Sequence, residues 1–157
     1  MPEDHLPSAN PLSLGAAFRE DDRRLEDLLR HVIDQLEAGH NDQARVLWRE
    51  CEEGLIRHLQ AEEAFLLPDL LTAKPREARA LLEEHRHLRQ RLAELTTGLH
   101  RAVRPDRVQA FVAELRAHAS HEEKTLYLWA ETAVERSQQE AAIARLGGQS
   151  TGASARS

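Results

Sequence analysis

Apolar side chains recur at steps of three, four and seven through almost the whole chain, and a few glycines and prolines cut that pattern into four stretches. A period near 3.6 sustained this long leaves room for long helices and little for a sheet, and seven glycines and six prolines in 157 residues are few enough to permit them. The first stretch runs from about Leu14 to Ala38, with Phe18, Leu25, Leu29, Val32 and Leu36 on one face and Gly39 placed to end it. The second starts near Asn41 or Asp42, either suited to cap a helix, and continues through Leu47, Cys51, Leu55, Leu66 and Leu70 to Lys74-Pro75, with Pro68 expected to kink its last turns. The third opens at about Pro75 and carries Leu81, Leu88, Leu92, Leu95 and Leu99. Pro105 starts the fourth, whose stripe of Val108, Phe111, Leu115, Leu126, Trp129 and Ala133 is expected to fade near Leu146. Short connections force each helix back beside its predecessor, which predicts an all-α fold, an antiparallel up-down-up-down four-helix bundle over residues 14–146. An irregular arm is expected over 1–13, where Pro2, Pro7 and Pro11 fall, and a disordered Gly/Ser/Ala tail over 147–157.

Charge and cysteine content narrow the function. A net charge of −6, with the basic residues interleaved among acids, argues against a nucleic-acid partner. The single Cys51 excludes an internal disulfide, and no apolar run reaches the length of a membrane span, so a reducing cytoplasm is the expected home.

The informative positions are those where the apolar stripes are interrupted. The segment His58-Leu-Gln-Ala-Glu62-Glu63 returns as His118-Ala-Ser-His-Glu122-Glu123, so a His-x-x-x-Glu pair occurs twice, each on one helical face with its partner one turn away. In both copies the pair replaces core residues, between Leu55 and Leu66 and between Leu115 and Leu126. His85 stands three before Leu88, and Asp22 occupies the matching place on the first helix, four after Phe18 and three before Leu25. The repeat aligns Glu20-Asp21-Asp22-Arg23-Arg24-Leu25 with Glu83-Glu84-His85-Arg86-His87-Leu88, which sets Asp22 against His85. Counting residues from the turns at 1.5 Å each brings Asp22, His58, Glu62, His85, His118 and Glu122 to one layer of the bundle. Unpaired carboxylates in an apolar core cost several kcal/mol each, so something cationic must accompany them. Arginines are one answer; a pair of divalent metal ions fits better, with imidazoles as terminal ligands, glutamates as bridges and Asp22 as a further anionic ligand. Nitrogen and oxygen ligands without thiolate suit iron, or manganese, better than structural zinc.

These residues also carry a family resemblance. His-x-x-x-Glu-Glu on the second and fourth helices, with Glu84-His85-x-x-Leu88 on the third, resembles the hemerythrin-like, or HHE cation-binding, domain over about residues 14 to 140. The resemblance implies a four-helix bundle around a non-haem di-iron centre, with His58, Glu62, His85, His118 and Glu122 as ligands, and a role in binding dioxygen, sensing oxygen, iron or redox state, handling nitric oxide or helping to repair iron–sulfur centres. Ferritin-like di-iron bundles differ, using Glu-x-x-His. Two departures matter: the family generally has a histidine where this chain has Asp22, and oxygen-carrying members have a second histidine at the place of Arg89. The first leaves a mononuclear site open, and the second disfavours reversible oxygen carriage. Those carriers also set the last carboxylate one residue later, which keeps Glu123 as a substitute for Glu122.

Asp22 is read either as a ligand or as an acceptor behind a coordinating imidazole, with Glu26 a lesser candidate. His31, His40, His87, His100 and His121 are expected at the surface or rim, Cys51 as a buried hydrophobe, and Tyr127, Trp48 and Trp129 as packing residues, with Tyr127 also able to hydrogen-bond near a diatomic ligand. The expected function is an iron protein meeting a small oxidant or diatomic molecule, signalling through a protein partner or a homo-oligomer. The alternatives are an enzyme with peroxidase-like, nitric-oxide-reducing or iron–sulfur repair activity, and a metal-free helical interaction module.

Overall fold

The computed structural model describes residues 13–101 and 103–148, and all regular structure among them is helical. Apart from Ser13, Gly147 and Gly148, the arm and tail expected at the ends lie outside the described residues. Helix α1 spans Leu14–Glu37; the Ser13 hydroxyl caps it by accepting the Ala16 amide at 3.2 Å. It stops where the pattern predicts, because Gly39 takes φ +79° and lets the amides of Gly39 and His40 turn back to the carbonyls of Leu36 and Gln35.

The second stretch divides. Helix α2 spans Asn41–Phe65 and α3 spans Leu67–Ala73, with Leu66 at φ −118° between them. His40, rather than Asn41 or Asp42, is the residue before the first turn, and its side chain makes no cap. Pro68, which has no amide hydrogen and whose ring crowds the preceding turn, makes the expected kink a full break one turn beyond Glu62. Helix α4 spans Pro75–Leu99 and α5 spans Pro105–Glu122, each opening on the proline that the pattern marks.

The fourth stretch departs most from expectation. After α5 come a π-helical turn, Glu123–Tyr127, and α6, Leu128–Ala133; the chain then goes extended at Val134 and resumes as α7, Arg136–Leu146. The expected continuous helix to Leu146 is therefore corrected. Gln139 explains the break, since its side-chain amide donates to the carbonyls of Ala130, Glu131 and Val134 at 3.1, 3.2 and 2.8 Å and so satisfies the end of α6. Helix α7 packs back on α2 and α1.

Helix α1 packs on α2 and α5, and α4 packs on α5 and α2. Their apolar residues form two separate groups. One holds Leu25, Leu29, Trp48, Cys51, Leu55, Leu92, Phe111 and Leu115 among others; the second holds Leu14, Phe18, Leu66, Leu81, Leu126, Tyr127 and the α7 residues Ala142 and Leu146. On α1, α4 and α5 the polar residues singled out by the sequence pattern lie in sequence between the two groups, and on α2 His58 and Glu62 straddle the boundary between Leu59 and Ala61.

Candidate metal centre

A helical step of four residues puts both members of each His-x-x-x-Glu pair on one face, and the stripe they interrupt faces inward. His58, Glu62, His85, His118 and Glu122 are accordingly at most 6% exposed. Single ligand-type atoms of Glu62, His85, His118 and Glu122 lie within 4.8 Å of one another. Each glutamate offers its two oxygens to different neighbours. Glu62 Oε1 is 3.0 Å from His85 Nε2, whereas its Oε2 is 3.1 Å from His58 Nε2. Glu122 Oε2 is 3.0 Å from both His85 Nε2 and His118 Nε2, and its Oε1 accepts from the Tyr127 hydroxyl at 2.9 Å. Asp22 joins at the edge, its Oδ1 3.4 Å from His58 Nε2. The layer thus has a His85/His118 end and a His58/Asp22 end, spanned directly by Glu62 and, through the Tyr127 hydroxyl, by Glu122.

Behind each imidazole stands a second carboxylate. Nδ1 of His58 meets Asp21 at 2.8 Å, Nδ1 of His85 meets Glu63 at 2.7 Å, and Nδ1 of His118 meets Glu84 at 2.6 Å. With Nδ1–H donated outward, each ring turns Nε2 to the centre, as metal-binding imidazoles require. The sequence reading missed all three acids, although its repeat held the signal. Asp21 aligns with Glu84, and each holds the histidine of the following long helix. Glu63 aligns with Glu123, which by the same rule would hold a side chain at position 22; Asp22 has no N–H to give, and Glu123 instead lies 43% exposed, 3.8 Å from Arg19. The acceptor behind His58 is therefore Asp21, and Asp22 is on the Nε2 side of that ring. Glu122 is inside and Glu123 is outside.

Tyr127 is more than a packing residue. The π turn places it on the same face five residues after Glu122, where a regular turn would use four. Its hydroxyl is 2.6 Å from Glu62 Oε2, 2.9 Å from Glu122 Oε1 and 3.3 Å from His58 Nε2. Phe18 closes this side, its ring edge-on to His58 at 5.1 Å.

The electrostatics follow from so many acids in one buried layer. Burial pushes the imidazoles down, but facing carboxylates outweigh it: Glu62 and Asp22 lead in holding His58 well above its usual range, Glu122 and Glu62 lift His85 to about 11, and Glu122 lifts His118 to about 9. Burial raises the Asp22 carboxyl to about 7 despite His58 nearby. Burial opposes ionisation of Glu62 too, yet His58 and His85 hold it well below the usual carboxylate range. Burial and the surrounding carboxylates together push the Tyr127 phenol up.

The residues fit a cation. Glu62 Oε1, His118 Nε2 and Asp22 Oδ2 are buried with no hydrogen-bond partner, although opposite atoms lie 3.0 Å from the first two. Groups this close and yet misaligned for a hydrogen bond are aimed at common points between them. Among the described residues no guanidinium comes within 4.0 Å of Glu62 or Glu122; Arg24 and Arg89 pair instead with Asp21 and Glu63, behind the histidines. A groove of about 330 Å³ between α1 and α5, bordered by Arg19, Arg23 and Arg116, reaches Asp22 from outside.

The remaining sequence candidates lie elsewhere. Glu26 is held by Arg116 and Arg30 at the surface, His40 meets Gln35 and His87 meets Glu114. His121 shares Glu84 with His118 at the rim. Cys51 is buried in the apolar group, and Trp48 donates to Thr96 at 2.9 Å. No helix among the described residues is long and apolar enough to cross a membrane.

Comparison with curated proteins and with solved structures found no match. A family model does match: the hemerythrin HHE cation-binding domain aligns with residues 14–146, nearly the whole described chain. A buried set of histidines and glutamates that could hold a metal ion lies within the matched residues, and the chain belongs to the hemerythrin HHE cation-binding domain family.

Proposed function

We propose that this protein is an up-down-up-down four-helix bundle of α1, α2, α4 and α5 that holds two iron ions between His58, Glu62, His85, His118, Glu122 and Asp22. It uses them to bind or respond to dioxygen, nitric oxide or peroxide, or to handle iron. The observation that carries this reading is the division of the two glutamates: Glu62 offers one oxygen to His85 and the other to His58, and Glu122 offers one to His85 and His118 and the other to the Tyr127 hydroxyl, itself 3.3 Å from His58 Nε2. Two cations placed at those ends would take the positions that protons hold in the raised imidazoles, and would satisfy the buried atoms left without partners. Mixed imidazole and carboxylate donors, with Cys51 among leucines in the apolar group, suit iron or manganese better than structural zinc, and iron is the metal assigned.

Iron so held supplies redox chemistry towards small oxidants. The chain supplies the rest. Asp21, Glu63 and Glu84 fix the tautomer and orientation of the imidazoles, the leucines and Phe18 on either side exclude bulk water, and the α1–α5 groove admits a small molecule at the Asp22 end. A second reading, turnover of peroxide or nitric oxide, draws support from the Tyr127 hydroxyl, a proton-bearing group 3.3 Å from His58 Nε2.

Anaerobic reconstitution with ferrous iron, followed by metal analysis, tests the assignment. Two irons per chain are expected. His118→Ala and Glu62→Ala should each lose most of that iron, and the surface variant His87→Ala should keep it. Equal iron in all three would overturn the ligand set, and an iron-free protein under every condition would favour the interaction module.

A further inference from the structure

The two ends of the layer are unequal. The repeat gives the first end two imidazoles, His85 and His118, and gives the second only His58, because Asp22 stands where His85 has its counterpart. Tyr127 is also one-sided. Sixty residues earlier, at its place in the repeat, stands Leu67, the first residue of α3. The π turn is what swings the phenol into the layer, and it swings it to the deficient end.

We propose that the Tyr127 oxygen is a ligand of the metal at the His58/Asp22 end, an assignment that rests on the two-metal reading above. Three donors of that end surround the oxygen: Glu62 Oε2 at 2.6 Å, Glu122 Oε1 at 2.9 Å and His58 Nε2 at 3.3 Å. Neighbouring donors around one octahedral ion with bonds of about 2.1 Å are about 3 Å apart, so the phenol oxygen already stands at the separation of a coordination partner. A pure hydrogen-bonding role explains less, because one O–H points well at only one of the two glutamates. On coordination the phenol O–H bond breaks, the proton leaves to solvent and the oxygen–metal bond forms; no electron is transferred. Asp22 and Tyr127 together then give this position two anionic oxygens in place of the missing imidazole. Such a donor set favours the ferric state there and makes the two irons inequivalent.

The chain contains one tyrosine, so any phenolate signal from it has a single source. The full-length protein is loaded anaerobically with ferrous iron, oxidised with ferricyanide, and examined by metal analysis, visible absorption and resonance Raman scattering. The expected result is a phenolate-to-iron(III) charge-transfer band whose excitation enhances tyrosine ring vibrations, absent from Tyr127→Phe loaded in the same way. Raman of the unmutated protein decides the matter even where Tyr127→Phe folds poorly. Two bound irons without phenolate modes would overturn this ligand and leave the two-metal reading standing, whereas failure to bind iron would overturn both.

Discussion

Replacing each outward carboxylate with its amide asks whether the acids behind the imidazoles act as charges or merely as acceptors. Asp21→Asn keeps an oxygen for the His58 Nδ1–H and removes only the charge. A hydrogen bond to a charged group contributes about 1.5–3 kcal/mol against about 0.5–1.5 for a neutral pair, so the difference is about 1–1.5 kcal/mol. At about 1.4 kcal/mol per decade, that is roughly a tenfold loss of metal affinity, the lower edge of the range seen for such outer partners. Exposure sets the order. Asp21 and Glu63 each also carry an arginine, but Asp21 is 9% exposed and its charge is little screened, Glu63 is 26% exposed, and Glu84 is 37% exposed where water takes over its work. Ferrous affinity, read by competition with a chromophoric chelator under anaerobic conditions, should fall most in Asp21→Asn, less in Glu63→Gln and least in Glu84→Gln. Unchanged affinity in Asp21→Asn, or a larger loss in Glu84→Gln, would refute the reasoning.

Asp22→His should bind the second iron more tightly because Glu123 is placed to receive its Nδ1–H, and adding Glu123→Gln should return most of the gain; a double variant equal to the single removes Glu123 from that role. Gln139→Ala should lose about 1–2 kcal/mol, a fall of several degrees in Tm with iron content intact, and an unchanged Tm would show that its bonds to the α6 carbonyls do not hold the break. Cys51 should resist thiol reagents while folded, because burial raises its thiol from 9.0 to about 12. The unfolded thiol ionises first, so this contribution to stability is intact below pH 9 and is lost as pH climbs towards 12. Denaturant unfolding at pH 8 and pH 10 should therefore show the native protein losing more on the alkaline side than Cys51→Ala, and parallel losses would contradict it.

The long helices were legible because their signals are local: leucines at helical spacing bounded by Gly39, Pro75 and Pro105. The inward residues were legible for a related reason, since a histidine or acid inside an apolar stripe stands out whatever surrounds it. What stayed hidden depends on partners distant in sequence or on geometry without a composition signal. Nothing between Ala133 and Gln138 is a glycine or proline, so the turn into α7 could not be read, and it depends on a side chain reaching back five to nine residues. The π turn at Glu123–Tyr127 is likewise silent in composition, and without it Tyr127 reads as one more stripe residue. Asp21, Glu63 and Glu84 look like solvated acids until the neighbouring helix is in place.

The division of the core has a consequence for how the molecule melts. Two oily compartments separated by a charged slab are coupled there through imidazole–carboxylate contacts rather than apolar packing, so in the absence of metal their cooperation is weak. Ions bridging α2, α4 and α5 would rivet the compartments into a single cooperative unit. Calorimetry would then register iron as a merging of two broad transitions into one sharp one, as well as a rise in temperature.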